Sequence, residues 1–241
     1  MSNPTIVLVH GAFADAASWA PVTRTLLDRG HQVVVPPNHL RTLSGDAASV
    51  RRVVEAIDGP VVLAGHSYGG AVITVAGDAP NVVGLVYVAA YAPDADESPS
   101  DMDARYPATD LRDHLVTLPN PVDGREDGVD LSVDPEAFLP VFAAGLDPQT
   151  AEVLAVSQRS FADAAYTGKA SVAAWRSTPS WGIVATSDKT VNPDVQREGY
   201  ERAGFRKVVE LDSPHLVMQT HPSDVVDLIE AAVADVATEA A

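Results

Sequence analysis

The chain has 241 residues and 46% of them are hydrophobic, which is enough for the core of one large α/β domain or two small ones. Its 16 Lys and Arg residues against 33 Asp and Glu residues give a net charge of −17, a balance that repels nucleic acid and anionic lipid. No cysteine is present, so disulfides and thiolate metal sites are excluded.

The start of the chain, Met1-Ser2-Asn3-Pro4, has neither the basic residues nor the apolar run of a signal peptide. No apolar stretch approaches the ~18 residues that a membrane span needs. We therefore expect a cytoplasmic protein with a small-molecule partner, and neither a nucleic acid nor a membrane as partner. The composition does not identify that small molecule, and it leaves a monomer or a homodimer open.

The first part of the chain alternates buried strands with amphipathic helices. Continuous β-branched runs between such helices are typical of a mostly parallel sheet with helices on both faces, which is an α/β fold. The predicted strands are residues 5–10, 31–35, 61–64 and 82–89, and the predicted helices are residues 19–29, 47–57 and 71–76.

The alternation stops at Tyr91-Ala92-Pro93 and resumes at residue 180. Residues 94–134 are rich in Asp, Pro and Gly and predict no strong strand, whereas residues 135–174 predict short helical pieces. Because no repeat or low-complexity linker separates the parts, we expect a single domain over residues 1–241. Its core is residues 1–93 and 175–241, and residues 94–174 form a helical cap insertion. The later core elements are predicted strands at 180–186 and 207–211 and helices at 193–203 and 222–236.

One segment carries a strong catalytic signal, because the strand at 61–64 runs into Gly65-His66-Ser67-Tyr68-Gly69 and then into a helix. In such a Gly-x-Ser-x-Gly turn the serine hydroxyl is pushed out of the sheet. A β-carbon at position 65 or 69 would crowd the turn. The pattern predicts Ser67 as a nucleophile.

A serine nucleophile needs a base and a group that orients the base. Asp188 follows the predicted strand at 180–186, and His215 follows the one at 207–211. The chain order serine, aspartate, histidine is that of the Gly-x-Ser-x-Gly hydrolases. We therefore predict Ser67, Asp188 and His215 as a catalytic triad, with competing carboxylates at Asp94, Asp194 and Asp212.

The developing negative charge on a substrate carbonyl needs backbone N–H donors. Tyr68 supplies one directly after the nucleophile, and the loop after the first strand supplies the other, with Ala12 favoured and Phe13 one residue away. Phe13 and Tyr91 also follow strand ends, which makes them candidates for the substrate pocket. His10 and His66 are interpreted as packed, hydrogen-bonded residues.

The segments around these residues resemble the α/β-hydrolase superfamily. The closer resemblance is to the esterase group that includes plant methyl-ester hydrolases, hydroxynitrile lyases and bacterial pyrethroid-type carboxylesterases. It rests on Val7-Leu8-Val9-His10-Gly11-Ala12 with Trp19, Gly65-His66-Ser67-Tyr68-Gly69-Gly70, Ala185-Thr186-Ser187-Asp188, and Ser213-Pro214-His215-Leu216-Val217-Met218. It covers residues 4–92 and 178–236, and it implies the triad and the oxyanion donors at the positions named above.

Two positions depart from the lyases of this group. A lysine follows the catalytic histidine in those lyases, whereas Leu216 stands here, and Gly11 stands where they commonly carry threonine. Both differences favour hydrolysis over cyanohydrin cleavage. The resemblance therefore implies a carboxylesterase that acts on small, fairly apolar esters through an acyl-enzyme, with no cofactor and no metal.

Three alternatives stay open at this point. The same triad can serve lactone opening, thioester or carbon–carbon bond cleavage, or a biosynthetic tailoring step. Haloperoxidase activity without a cofactor is a weaker one, and a ligand-binding receptor on a hydrolase scaffold belongs to another class. Bulky cap residues are expected either to line the pocket or to pack the cap: Phe138, Leu139, Val141, Phe142, Leu154, Phe161, Tyr166 and Trp175.

Overall fold

Short apolar runs become strands in the computed structural model, which describes residues 3–120 and 128–239. Within these ranges, and numbered in chain order, the strands are β1 Thr5–Val9, β2 Val33–Val34, β3 Val61–His66, β4 Val82–Val88, β5 Leu115–Pro119, β6 Val129–Val133, β7 Phe161–Ala162, β8 Ser180–Ala185 and β9 Lys207–Leu211. Six of them form one sheet in the order β2-β1-β3-β4-β8-β9, and every neighbouring pair is parallel. The predicted parallel sheet of an α/β fold is confirmed.

Helices connect these strands and flank the sheet. In the same described residues they are α1 Ala20–Asp28, α2 Leu43–Glu55, α3 Tyr68–Ala76, α4 Pro99–Asp103, α5 Pro135–Val141, α6 Pro148–Val156, α7 Asp163–Tyr166, α8 Pro193–Arg202, α9 Val217–Thr220 and α10 Pro222–Glu239. Short 3-10 helices lie at Ala16–Trp19, Asp110–His114 and Ala174–Arg176. None of the helices described combines the length and the apolar character that crossing a membrane requires.

The core lies where the middle strands are covered on both faces. All residues of β1, β3 and β8 are buried, which explains their continuous apolar runs. The helices α2 and α3 pack against each other, and α1 and α10 form a second pair. The edge strand β9 is largely exposed and carries Lys207 and Glu210, charges that discourage pairing with another chain.

The second strand is shorter than predicted. Residues 31–35 were expected to form it, but β2 covers Val33–Val34 alone. It lies at the edge of the sheet and pairs with β1. Pro36 lies two residues after Val34 and has no N–H to donate, so the ladder cannot continue through it.

The helix expected at residues 47–57 begins earlier, because α2 starts at Leu43. Thr42 caps it, with its hydroxyl accepting a hydrogen bond from the Gly45 N–H over 3.1 Å. The first turn is small and polar, so hydrophobic periodicity alone does not reveal it.

The segment from residue 94 to 174 contains strands, two of which lie in residues 94–134, where the sequence predicts no strong strand. The strands β5, β6 and β7 form a small antiparallel sheet in the order β5-β6-β7. Most of β5 is exposed, so the alternation of buried and exposed side chains that marks a strand in sequence is weak there. The other described residues of the segment form short helices and loops, and Pro148 is the first residue of α6.

A group of ion pairs ties α4 and the loop before it to α8. Arg105, just after α4, lies 2.5 Å from Glu97 and 2.6 Å from Glu198. Arg202 lies 2.7 Å from Glu97 and also donates to Ala92 O over 3.0 Å. A single exposed ion pair adds little to the stability of a fold. Here the ion pairs share partners and form a network, which also includes a backbone carbonyl. It fixes the start of the inserted segment on the core.

Candidate active site

Loops that follow neighbouring strands bring the predicted site residues to one edge of the parallel sheet. Ser67 directly follows β3, while Asp188 and His215 lie in the loops after β8 and β9, and Ala12 lies in the loop after β1. Because the carboxyl ends of parallel strands lie at the same edge, residues distant in the chain meet there.

Ser67 lies at the turn between β3 and α3, with φ of 55° and ψ of −125°. Such a positive φ is uncommon for a residue other than glycine, and strain of this kind gathers at functional sites. Backbone hydrogen bonds hold the turn, since Gly70 N–H donates to Ser67 O over 2.9 Å and Ser67 N–H donates to Val88 O over 3.2 Å. The serine is 5% exposed and lines the main cavity of the protein.

The glycines around Ser67 allow close backbone approaches. A β-carbon on Gly65 would lie 2.5 Å from Gly69 O, and one on Gly69 would lie 2.5 Å from Val9 O. A β-carbon on Gly11 would lie 2.7 Å from Ser67 Cβ. These distances are too short for any side chain, so the turn requires glycine at all three positions.

Gly69→Ala is expected to lower the free energy of unfolding by about 3 kcal/mol or more, because backbone cannot move aside as a side chain does. Urea denaturation of the variant and the wild type measures the difference. Gly30→Ala is the matched control, since Gly30 has a φ of 84° but open space around it. Its strain alone is expected to cost about 1–2 kcal/mol. A smaller loss for Gly69→Ala than for the control would contradict the packing argument.

Asp188 and His215 lie in direct contact. His215 Nδ1 is 2.7 Å from Asp188 Oδ2, and both side chains are fully buried. Because a carboxylate only accepts hydrogen bonds, the imidazole carries its proton on Nδ1 and leaves Nε2 as an acceptor. Within the described residues His215 Nε2 is buried and has no hydrogen-bond partner. In the neutral ring this is the tautomer that a general base needs.

The competing carboxylates have other partners. Asp94 binds Arg176, Asp194 binds Arg197, and Asp212 accepts from the Ser187 hydroxyl over 2.6 Å. Of the four carboxylates weighed from the sequence, Asp188 is therefore the one that the fold brings to His215.

Gln196 is a residue of the site that the sequence did not point to. It lies on α8 and is fully buried. Its Nε2 donates to Asp188 Oδ2 over 2.9 Å, and its Oε1 accepts from Ala185 N–H over 3.0 Å. Asp188 Oδ1 accepts two further bonds, from Thr190 N–H and Val191 N–H. Both carboxylate oxygens of Asp188 thus accept hydrogen bonds. Gln196 reaches Asp188 because α8 folds back onto the loop that carries Asp188.

His66 packs beneath His215 and holds its backbone. Its Nε2 donates to His215 O over 3.0 Å, and the two rings are 4.5 Å apart. Burial lowers the pKa of His66 well below its ordinary value, and the nearby His215 acts in the same direction. His66 is therefore neutral, in line with the interpretation of it as a packed residue.

The predicted oxyanion donors lie beside Ser67 in the cavity wall, which includes both Ala12 and Tyr68. Tyr68 is the first residue of α3, so its N–H has no partner within the helix. Within the described ranges the Ala12 N–H makes no recorded hydrogen bond to backbone. Two donors next to a buried serine are what a tetrahedral oxyanion needs.

His10 and Asn38 fasten the loop that carries Ala12. His10 Nδ1 donates to Gly11 O over 2.9 Å, and its Nε2 accepts from Asn38 N–H over 3.0 Å. The Asn38 side chain donates to His10 O over 3.1 Å. Burial lowers the pKa of His10, so the neutral ring serves both bonds. Asn38 had no signal in the sequence.

The side chain of Tyr68 is anchored away from the nucleophile. Its hydroxyl donates to Asp46 Oδ2 over 2.8 Å, and its ring lies 4.8 Å from that of Phe161. Burial raises the pKa of Asp46, although the bond from Tyr68 opposes that shift. Asp46 was not identified from the sequence, because it lies in the polar first turn of α2.

The main cavity has a volume of about 420 Å³ and opens above Ser67. Its wall includes both predicted pocket residues, Phe13 and Tyr91. Of the bulky cap residues named from the sequence, Phe161 and Tyr166 line it. Phe142 instead packs against the rings of His215 and Phe13, and Trp175 donates to Pro93 O over 2.9 Å. The other residues of that set do not line this cavity, and Phe142 packs the inserted segment against core residues.

Within residues 3–120 and 128–239, no group of three or more His, Cys, Asp or Glu side chains is arranged to hold a metal ion. The arrangement at the sheet edge instead combines a strained serine, a buried histidine with a free acceptor nitrogen, and two backbone donors. Chemically, such a site can deprotonate a hydroxyl and stabilise an oxyanion.

Comparison with known families and curated proteins gives two matches. The profile of the Alpha/beta hydrolase family matches residues 6–228. The carbendazim hydrolyzing esterase of Nocardioides sp. (strain SG-4G) is 35% identical over 106 residues, which are 38% of this chain and 44% of that esterase. The match thus spans less than half the length of that curated relative.

Several solved structures are similar over nearly their whole length. Polyneuridine aldehyde esterase is 23% identical, with a TM-score of 0.79 and coverage of 95% of this chain and 99% of that one. A pyrethroid hydrolase from Sphingobium faniae JZ-2 is 21% identical, with a TM-score of 0.72 and coverage of 97% and 98%. Tomato methylketone synthase I, complexed with 2-tridecanone, is 17% identical, with a TM-score of 0.80 and coverage of 98% and 99%. At these identities the likeness shows the shared fold.

Proposed function

The chain belongs to the alpha/beta hydrolase family, and from that premise we propose that it is a serine carboxylesterase that hydrolyses small, fairly apolar esters. Ser67 is the proposed nucleophile and His215 the proposed general base. Asp188 is the residue proposed to orient the imidazole and to stabilise its positive charge. Ala12 and Tyr68 are the proposed oxyanion donors, and Phe13 and Tyr91 the proposed pocket residues.

One observation carries the proposal: the buried contact of 2.7 Å between Asp188 and His215, on the same sheet edge as a serine with a φ of 55°. The packed His10 uses both ring nitrogens, and the packed His66 bonds a backbone carbonyl through one of them, whereas the bonded nitrogen of His215 contacts a carboxylate. His215 uses one, and within the described residues the other has no partner.

In the proposed acylation step, Ser67 Oγ attacks the carbonyl carbon of the ester while His215 Nε2 takes the hydroxyl proton. The carbonyl electron pair moves to the oxygen, which the N–H groups of Ala12 and Tyr68 bind. The bond to the alcohol oxygen then breaks, and His215 returns the proton to the leaving alcohol. Asp188 stabilises the imidazolium in between and does not itself become protonated.

Deacylation repeats these steps with water. His215 Nε2 takes a proton from the water as its oxygen attacks the acyl carbon, and the bond to Ser67 Oγ breaks. Ser67 recovers the proton from His215, and the acid leaves. Each step needs the imidazole proton on Nδ1 at the start, which the Asp188 contact ensures.

The comparisons support ester hydrolysis among the reactions open to such a triad, since the curated relative and two of the similar structures carry the name esterase or hydrolase. Leu216 is buried at 2% exposure directly after His215 and supplies no cation there. The largely apolar and aromatic wall, with Phe13, Leu131 and Phe161, supports a fairly apolar substrate.

We also propose that residues 94–174 are a cap within one domain. The main cavity is lined on one side by core residues such as Ala12, Ser67 and Asn192 and on the other by residues of the segment such as Leu115 and Phe161. The cap would then decide which esters reach the nucleophile.

A panel of p-nitrophenyl esters of increasing acyl length, together with carbendazim, tests the proposed activity. Hydrolysis of the shorter esters is expected, because a cavity of about 420 Å³ holds a small molecule. A fluorophosphonate probe followed by peptide mapping tests the nucleophile. Labelling is expected on Ser67. Labelling elsewhere, or a folded protein that turns over no ester, would contradict the proposal.

A further inference from the structure

A carboxylate, Asp103, lies in the wall of the cavity at the end of α4. Asp103 has no role in the proposed triad mechanism. The hydroxyls of Tyr91 and Tyr166 both donate to its Oδ2, each over 2.7 Å, and both tyrosines line the same cavity. Side-chain packing alone does not require that two tyrosine hydroxyls in a cavity wall bind the same carboxylate.

The protons of this cluster belong to the tyrosines. Burial raises the pKa of Tyr91 and of Tyr166, and the adjacent Asp103 raises both further. Burial raises the pKa of Asp103 above its ordinary value, and the hydrogen bonds from the two hydroxyls oppose that shift without cancelling it. The phenols therefore donate, and Asp103 acts as an acceptor.

Among residues 3–120 and 128–239, the hydrogen bonds of the Asp103 carboxylate are the two tyrosine bonds at Oδ2, and none involves Oδ1. The nearest arginine in the chain, Arg105, is paired with Glu97 and Glu198. Arg112, the other charged residue among those described in the wall, is exposed. Asp103 is thus partly buried in the cavity wall, and its Oδ1 has no hydrogen-bond partner among the described residues.

Tyr91 connects this acceptor to the nucleophile. Its backbone N–H donates to Ser67 O over 3.3 Å, while its hydroxyl reaches Asp103. One tyrosine side chain therefore spans the distance between the backbone of Ser67 and Oδ2. A substrate whose carbonyl lies at Ser67 would extend along that ring toward Asp103.

We propose that Asp103 is a substrate-binding residue, and that the esters preferred by this site carry a hydrogen-bond donor that binds its free oxygen: a hydroxyl, an amide N–H or an ammonium group. The proposal rests on the ester hydrolysis proposed above and names the polar end of the substrate. A hydrogen bond to a charged acceptor favours a matched substrate by about 10- to 100-fold over an analogue without the donor.

Matched esters measure this preference directly. Methyl phenylpropanoate and its para-hydroxy, para-methoxy and para-aminomethyl derivatives differ in one group at the end away from the carbonyl. The hydroxy and aminomethyl esters donate hydrogen bonds, and the methoxy ester only accepts. The wild type is expected to show a kcat/KM about 10- to 100-fold higher for the donors than for the methoxy ester. The comparison of hydroxy with aminomethyl shows whether the donor is neutral or cationic.

Asp103→Asn tests the residue, because its side-chain amide can donate as well as accept. The preference for the hydroxy ester over the methoxy ester is expected to fall to within about threefold, since one amide serves both. Asp110→Asn is the matched control: it removes the same charge from an exposed ion pair with Lys189, outside the cavity wall. The control should keep the wild-type ratio. Should Asp103→Asn fail to fold, the wild-type ratio and Tyr166→Phe, which removes one bond to Asp103, still test the proposal.

Calorimetric binding of the same esters to Ser67→Ala separates this proposal from the proposed reaction. Turnover without any donor preference contradicts the role of Asp103 and leaves the esterase proposal standing. Preferential binding of donors without turnover by the wild type supports Asp103 and contradicts the esterase proposal. A donor preference that survives in Asp103→Asn overturns the assignment of that preference to Asp103.

Discussion

Ser67→Ala is expected to lower kcat for ester hydrolysis by on the order of 10⁴- to 10⁶-fold, because the replacement removes the atom that forms the acyl-enzyme. The oxyanion donors are backbone groups and stay in place, so a small residual rate over water should remain. The variant keeps the backbone turn, since alanine is smaller than serine in a site that is 5% exposed. Steady-state kinetics on the best ester of the panel measure the loss.

Ser44→Ala is the control for this variant. Ser44 is exposed in the first turn of α2 and does not line the cavity, so its removal should leave kcat within about twofold. Fluorophosphonate labelling should disappear in Ser67→Ala and persist in the control. If wild type and Ser67→Ala were equally inactive yet both bound esters tightly, a ligand-binding protein on a hydrolase scaffold would be the better interpretation.

Asp188→Asn is expected to lower kcat by about 10⁴-fold with little change in fold, the size of loss that a wrong histidine tautomer produces. In the wild type all protein partners of Asp188 are donors: His215, Gln196 and the N–H groups of Thr190 and Val191. An asparagine must place its own NH₂ toward two of them. With the amide nitrogen toward His215, the ring would take the tautomer that leaves Nε2 protonated and unable to accept from Ser67.

The control is Asp212→Asn, which removes a carboxylate close in sequence to His215. Asp212 accepts from the exposed Ser187 hydroxyl and makes no recorded bond to the histidine, so its loss should change kcat less than about threefold. Circular dichroism and urea denaturation check that both variants fold. An Asp188→Asn enzyme within tenfold of the wild type would show that this carboxylate does not set the histidine tautomer.

The sequence predicted the parallel sheet and the meeting of Asp188 with His215 for one physical reason. Buried strands must be continuous apolar runs, and in a parallel sheet the residues just after them share an edge. The positions of Ser67, Asp188 and His215 follow from counting residues past each strand. The catalytic roles themselves still await the experiments above.

What the sequence could not predict depends on contacts between distant segments. Gln196 reaches Asp188 because α8 folds back on the loop before it, and Asp46 reaches Tyr68 from another helix. Asp103, Tyr91 and Tyr166 are far apart in the chain, and each alone is an ordinary residue. The strands β5 and β6 were missed because β5 is mostly exposed and β6 is mostly half-buried, so neither shows the alternation of buried and exposed side chains that identifies a strand.

The helix α8 has a mechanical consequence for the site. Gln196, in the first half of the helix, donates a hydrogen bond to the Asp188 carboxylate. Arg202, at the end of the helix, joins the ion pairs that hold the segment leading into Asp103. One helix of ten residues thus contacts both the carboxylate partner of His215 and the segment that leads to Asp103. Inserting a single turn between Gln196 and Arg202 would move these two residues about 5.4 Å further apart. The length of α8 therefore fixes the distance between the part of the fold that holds Asp188 and the part that carries Asp103.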